Sequence, residues 1–194
     1  MQVNIDVVYP VILPVAHNKQ SLKGRKMVRY LSSHARHAVE ISARKNGVFL
    51  INLSKNENGA PIPFNGNHWS LTHKPEYVAG VTAAKEIGID LEKMRPCRDS
   101  LFKKIANNKE WDLIDGDRSK KFFRYWTSKE AALKAAGKGL SDLSKCRVIE
   151  VIDNYNLVVS YRGKKIMIEH FFFDGHIASV VKDSFHVEWG VIPV

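Results

Sequence analysis

Apolar and polar positions along this 194-residue chain run through one order twice, a stretch at helical spacing followed by short alternating runs. The opening "VVYPVILPVA" (7–16) follows Asp6, contains Pro10 and Pro14, lacks a basic leader and is too short to span a bilayer, so it reads as a strand. Ser21 is placed to cap a helix from near Leu22, Ser32-Ser33 to break or recap it, and Asn46-Gly47 to stop a second run at Lys45. "VFLINL" (48–53), "HWSLTH" (68–73), "YVAGVT" (77–82) and "EIGIDLE" (86–92) have strand content, with "NENGAPIPFNGN" and "HKP" as loop and turn. Asp99 or Ser100 then starts a short helix, and Asp117 caps a longer one to Ala136. Strands are expected at 147–152, 157–161, 164–173, 176–181 and 186–192.

This order predicts an α+β fold of two similar halves, 1–95 and 96–194, joined near Arg95-Pro96. Each half packs a helix on antiparallel strands, and a pseudo-twofold pair of this kind leaves a cleft for an active site at the interface. The halves share an order of elements and no residue-level repeat.

Composition narrows the class. A hydrophobic content of 44% excludes a disordered chain, and with no spanning run the expected location is the cytoplasm. The formal charge of +10 calls for a polyanionic partner: nucleic acid, an acidic protein surface or a phosphate-rich small molecule. Residues 7–39 hold no acidic side chain but carry Lys19, Lys23, Arg25, Lys26, Arg29 and Arg36. Cys97 and Cys146 have neither metal-type spacing nor a disulfide framework around them and are assigned no chemistry.

In "EIGIDLE" the alternation buries Ile87, Ile89 and Leu91 and presents Gly88, Asp90 and Glu92. Asp90 and Glu92 then share a face with Cα atoms roughly 7 Å apart, close enough to repel unless a cation lies between them. Gly88 leaves room for a ligand to approach the backbone. In "FFRYWTSKEAALKAAGKGL" (122–140), Phe122, Tyr125, Trp126, Leu133 and Ala136 form an apolar helix face with Lys129 in its middle. A lysine there either snorkels or projects into a cleft where an anion neutralises it. Glu130 and Lys134 lie one turn apart on the border of that face. Asp90, Glu92 and Glu130 suit a hard cation such as Mg²⁺, and neighbouring lysines suit phosphate, which together point to phosphoryl-type transfer.

"GIDLE" with "WTSKEAALKAAGKGL" resembles the 4′-phosphopantetheinyl transferases, whose two motifs are a G-I/V-D-x-E strand and a W-S/T-x-K-E-A/S-x-x-K helix. The layout is similar to the monomeric surfactin-type branch, and "HWSLTH" matches that branch's Ser/Thr-His segment, so the resemblance runs from about Leu22 to Ser141. It implies Mg²⁺-dependent transfer of the phosphopantetheine arm of coenzyme A to a serine hydroxyl of an acidic acyl or peptidyl carrier protein, releasing adenosine 3′,5′-bisphosphate. Asp90, Glu92 and Glu130 match the metal ligands. Glu130 matches the base, directly or through a metal-bound water, and Lys134 the cation on the diphosphate. The resemblance also puts Lys129 in the coenzyme pocket, His73 with Thr72 beside it on a coenzyme phosphate, and Arg36 near the 3′-phosphate, with Lys23, Arg25 and Lys26 extending that wall. The chain departs from the pattern at Ala60, where the family usually has lysine; Lys55 and Lys74 are the nearby substitutes. The carrier is expected near "LFKKIANNKEW", with its lysines and Phe102, on a monomer that binds neither nucleic acid nor membrane.

Two other classes share some of these features. A Mg²⁺-dependent nuclease also combines carboxylates, lysine and positive charge, but Phe122 and Trp126 fall at core spacing rather than among exposed basic residues. A basic nucleic-acid-binding module uses the stretch from Lys19 to Lys45 and leaves the paired motifs unexplained.

Overall fold

Two contact units, residues 1–87 with 184–194 and residues 88–183, make up the α+β fold in a computed structural model that describes residues 7–50 and 52–192. In the first, β1 (Val7–Val8) and β2 (Val11–Pro14) precede a single turn of helix, α1 (His17–Gln20), and the long helix α2 (Gly24–Lys45). Leu31, Ala35, Ala38, Val39 and Ser42 of α2 recur at three- and four-residue spacing and are buried, the signature of a helix seated on a sheet. Its seat is β4 (Tyr77–Ala83), which pairs with β3 (His68–His73) on one side and β2 on the other. Contact is close because β4 carries Gly80 at the crossing: a Cβ there would lie 2.4 Å from the Val39 nitrogen.

Three local expectations give way here. The helix begins at Gly24, with φ 55, rather than Leu22, and Ser21 donates to the Asn18 carbonyl at the end of α1 instead of capping α2. Ser32-Ser33 do not interrupt it, since the apolar stripe continues past them and both serines stand off the buried face. Among the described residues of 48–53 no strand forms. Phe49 is 81% exposed, and the Leu53 carbonyl is taken by the Arg36 guanidinium rather than by a neighbouring strand.

The second unit opens with β5 (Ile89–Lys93), followed by α3 (Asp99–Ile105), α4 (Asn108–Trp111) and α5 (Arg118–Ala135). A 3-10 turn (Leu140–Lys145) leads into β6 (Cys146–Val151), β7 (Asn156–Tyr161), β8 (Lys164–Phe173) and β9 (His176–Val181). These strands form one antiparallel sheet in the order β5-β9-β8-β7-β6. Arg162-Gly163 and Asp174-Gly175 have positive φ at both residues, as two-residue hairpins require. The pairing of β5 with β9 puts the division at Ile87/Gly88 and not at the expected 95/96, because this strand belongs to the second sheet. The chain then returns to the first unit, where β10 (His186–Val187) and β11 (Gly190–Val191) pair in parallel with β1 and β2. The expected strand at 186–192 is therefore two short ones.

α5 lies on the face of the second sheet that carries His170, which is 2% exposed and hydrogen-bonded through Nδ1 to the Ser179 hydroxyl at 2.8 Å. Ser179 is in turn 2.6 Å from the Thr127 hydroxyl of α5. Burial, with the Arg124 and Lys120 charges adding to it, holds this imidazole well below the ordinary value of 6.5. A depressed histidine contributes stability above that value and loses it below, where the unfolded chain takes up a proton that the native state refuses. Stability should therefore fall between pH 6.5 and 5 with an added slope of up to about 1.4 kcal/mol per pH unit. His170→Gln should flatten that slope in denaturation midpoints measured across the range.

Candidate active site

Helix α5 is started by Asp117, whose carboxylate accepts from the Lys120 N–H at 2.8 Å, and ends before Gly137 in the left-handed region, φ 63. Phe122 to Tyr125, Thr127 to Lys129 and Ala131 to Leu133 are buried, while Trp126, Glu130 and Lys134 are half-buried. Spaced by four, these three line one stripe. The stripe borders β5, the sheet's edge strand. Trp126 Nε1 donates to Glu92 Oε1 at 3.0 Å, and Lys134 Nζ donates to Asp90 Oδ1 at 2.7 Å and to the Ile89 carbonyl at 3.1 Å. Glu130 sits midway between the two residues that grip the strand's carboxylates, so Asp90, Glu92, Glu130 and Lys134 are brought to one edge of the second unit.

What makes the grip possible is Gly88. The expectation that it clears space for a ligand is overturned: a Cβ there would lie 1.9 Å from the Ala131 carbonyl oxygen and 2.8 Å from the Ala135 nitrogen, so helix backbone fills that space. The glycine lets α5 settle directly on the strand.

Three carboxylates against one ammonium leave two formal negative charges at this edge. Among the described residues no three His, Cys, Asp or Glu side chains already stand together as a metal cage. Asp90, only 3% exposed, is engaged by Lys134, and Glu92 by Trp126. The donor set nevertheless fits Mg²⁺, which prefers carboxylate oxygen, retains several waters and draws its remaining ligands from substrate phosphate. The Lys134 ammonium has three N–H donors, two of them on Asp90 and Ile89, which fixes its position and leaves one to point at an anion.

Lys129 lies elsewhere. It is 1% exposed, and its ammonium donates to Glu110 Oε1 and to the Ile105 carbonyl, both at 2.6 Å. The placement in a coenzyme pocket is thus corrected: an internal carboxylate neutralises this lysine within the core. Glu110 was not singled out from the sequence, although Asn107-x-x-Glu110 is a capping-box pattern and forms one at the start of α4. Trp126, which core spacing alone would bury, is half-buried on the site stripe, and its spacing of four from Glu130 is the sequence signal for that place.

The remaining candidates belong to the first unit. Arg36 reaches the Leu53 carbonyl and stands over the Trp69 ring at 5.9 Å. It also lines a cavity of about 590 Å³ along α2 with Arg25 and with Arg29, a third cation of that face, to which the sequence motifs assign no role. Lys26 is exposed on the same helix. Thr72 and His73 are neighbours on β3 and point to opposite faces, Thr72 buried and His73 half-buried. Ala60 is held by its N–H on the Asn56 side chain. Cys146 is buried and its thiol is pushed up to about 12 by that burial, consistent with no chemistry. No helix of the described residues is long and apolar enough to cross a membrane.

The family model described as the 4′-phosphopantetheinyl transferase superfamily matches residues 86–184, a span that contains β5, α5 and all four residues of the site edge. The 4′-phosphopantetheinyl transferase HetI of Nostoc sp. is 39% identical over 87 residues, covering 41% of this chain and 37% of the relative. The transferases ffp and Sfp of Bacillus subtilis are each 33% identical over 97 residues, covering 47% of this chain and 43% of their own length. The chain thus spans about two-fifths of the length of these curated relatives.

Proposed function

This chain belongs to the 4′-phosphopantetheinyl transferase superfamily, and from that premise we propose that it transfers the phosphopantetheine arm of coenzyme A to a serine hydroxyl of a carrier protein. The observation that carries the reading is the α5 stripe, in which Trp126 and Lys134 grip Glu92 and Asp90 on either side of Glu130. Asp90, Glu92 and Glu130 would hold Mg²⁺, which when bound would offset the charge of the coenzyme's diphosphate. Glu130 takes the serine proton as the oxygen attacks the phosphorus that bears the arm. The bond to the adenosine 3′,5′-bisphosphate breaks, and the free N–H of Lys134 meets the charge on that leaving oxygen. Arg36, flanked by Lys26, supplies positive charge for the 3′-phosphate, and His73 with Thr72 supports a second phosphate contact.

An acidic carrier is supported by a cavity of the second unit, about 1110 Å³, lined by Lys103, Lys109, Arg118, Lys121 and Arg147 around Phe102. Its one carboxylate, Asp99, is already paired with Arg118. Such a surface steers an acidic helix more strongly than it holds one. We place the reaction in the cytoplasm, on a monomer of the surfactin-type branch.

Intact mass spectrometry of apo carrier proteins incubated with the protein, coenzyme A and Mg²⁺ tests the reading. A gain of about 340 Da, the mass of the transferred arm, that EDTA abolishes is the expected result. A folded protein that modifies no carrier in a panel of acyl and peptidyl carriers would sink it.

A further inference from the structure

The buried pair Lys129–Glu110 has no part in the chemistry above, yet it ties together every element that lines the basic cavity. Glu110 is 6% exposed, and its Oε1 accepts from Lys129 and from the Val148 N–H of β6 at 2.9 Å. Its Oε2 accepts from the Asn107 N–H at 3.1 Å, and its carbonyl accepts from the Tyr125 hydroxyl of α5 at 2.6 Å. Lys129 in turn holds the Ile105 carbonyl at the end of α3. Helices α3 and α4, of seven and four residues, are too short to persist alone. A second set of contacts is aromatic: Trp111 stacks on Tyr125 at 4.7 Å, and Phe102 lies 5.0 Å from Trp111 and 5.2 Å from Phe122. The polar clamp fixes where the segment sits, and the aromatic contacts keep it on α5.

We infer that Lys129 is a positioning residue for the carrier protein: through Glu110 it sets the 101–111 segment, the wall of the basic cavity, against α5. This rests on the reading that the cavity receives the carrier. Lys129 is adjacent to Glu130, so the same turn of α5 that presents the proposed base also anchors the docking wall. A carrier seated on that wall has its serine registered to Glu130 through one rigid helix.

Lys129→Met, Glu110→Gln and the double variant test the inference by kinetics with an apo carrier and by amide hydrogen exchange. Exchange across 101–111 should quicken in both single variants while 118–135 stays protected. The KM for the carrier should rise on the order of tenfold or more, as displaced positioning groups cause, while the KM for coenzyme A stays within about twofold. The double variant should be no worse than the worse single one, because the two residues act as one unit. Glu110→Gln keeps the lysine and an acceptor for it, so it stays informative where Lys129→Met fails to fold. Protection of 101–111 in both variants would overturn the clamp alone. A lower melting temperature with the carrier KM unmoved would leave the pair merely structural, and a loss confined to coenzyme affinity would return Lys129 to the coenzyme. A wild type that transfers nothing would overturn the underlying reading.

Discussion

Under the proposed chemistry, Glu130→Gln should leave a folded protein that transfers the arm on the order of 10³-fold more slowly, the range lost with a general base. Glutamine keeps the volume of the side chain on the half-buried stripe but takes no proton there, and it removes one of three negative charges from the site edge. Trp126 and Lys134 still grip Glu92 and Asp90 in this variant, since neither contact passes through residue 130. Asp90→Asn is the informative comparison. It strips the 2.7 Å counter-charge from Lys134 and should cost stability as well as turnover. A Glu130→Gln protein that turns over near the wild-type rate would place the proton acceptor elsewhere and dissolve the role assigned to the stripe; turnover by intact mass and melting by calorimetry separate the cases.

The parts of this site that were legible are those set by local periodicity. Alternation in β5 puts Asp90 and Glu92 on one face, and counting along α5 puts Glu130 one turn from Lys134, without reference to any distant residue. What periodicity does not carry is the identity of the neighbour. The anion for Lys129 is Glu110, nineteen positions back in another helix, and nothing in the apolar stripe distinguishes an internal carboxylate from a ligand phosphate. Gly88 shows the same limit. Its lack of a side chain signals a close approach, and only the tertiary structure reveals that helix backbone makes it. "VFLINL" has strand composition but finds no edge to pair with, and β5 joins a sheet whose other four strands all lie after Trp126, so the division of the chain was displaced past it. Tandem helix-and-strand order was readable; the return of β10 and β11 to the first unit, a matter of long-range parallel pairing, was not.

Gly88→Ala should be the most damaging single methyl in the second unit. The added carbon meets the carbonyl of Ala131 and the nitrogen of Ala135, backbone atoms that no rotamer change can move. Relief requires α5 to lift from β5, and a well-packed core charges about 3 kcal/mol or more for such overpacking. In a chain of this size that lowers the melting temperature by roughly 6–12 °C. Activity should fall further than stability explains. Lifting α5 stretches the Lys134–Asp90 and Trp126–Glu92 hydrogen bonds and carries Glu130 away from the strand carboxylates, and displacement by about 1 Å at a reacting centre can cost on the order of 10²-fold. Gly139→Ala is the control. A Cβ there meets nothing within 4 Å and the backbone is extended, φ −96, so stability should stay within about 0.5 kcal/mol of wild type. Calorimetry and transfer rates on the pair decide it. Equal melting temperatures for the two variants would mean that α5 does not rest on Gly88, and the geometry that seats Trp126 and Lys134 on Glu92 and Asp90 would need another support.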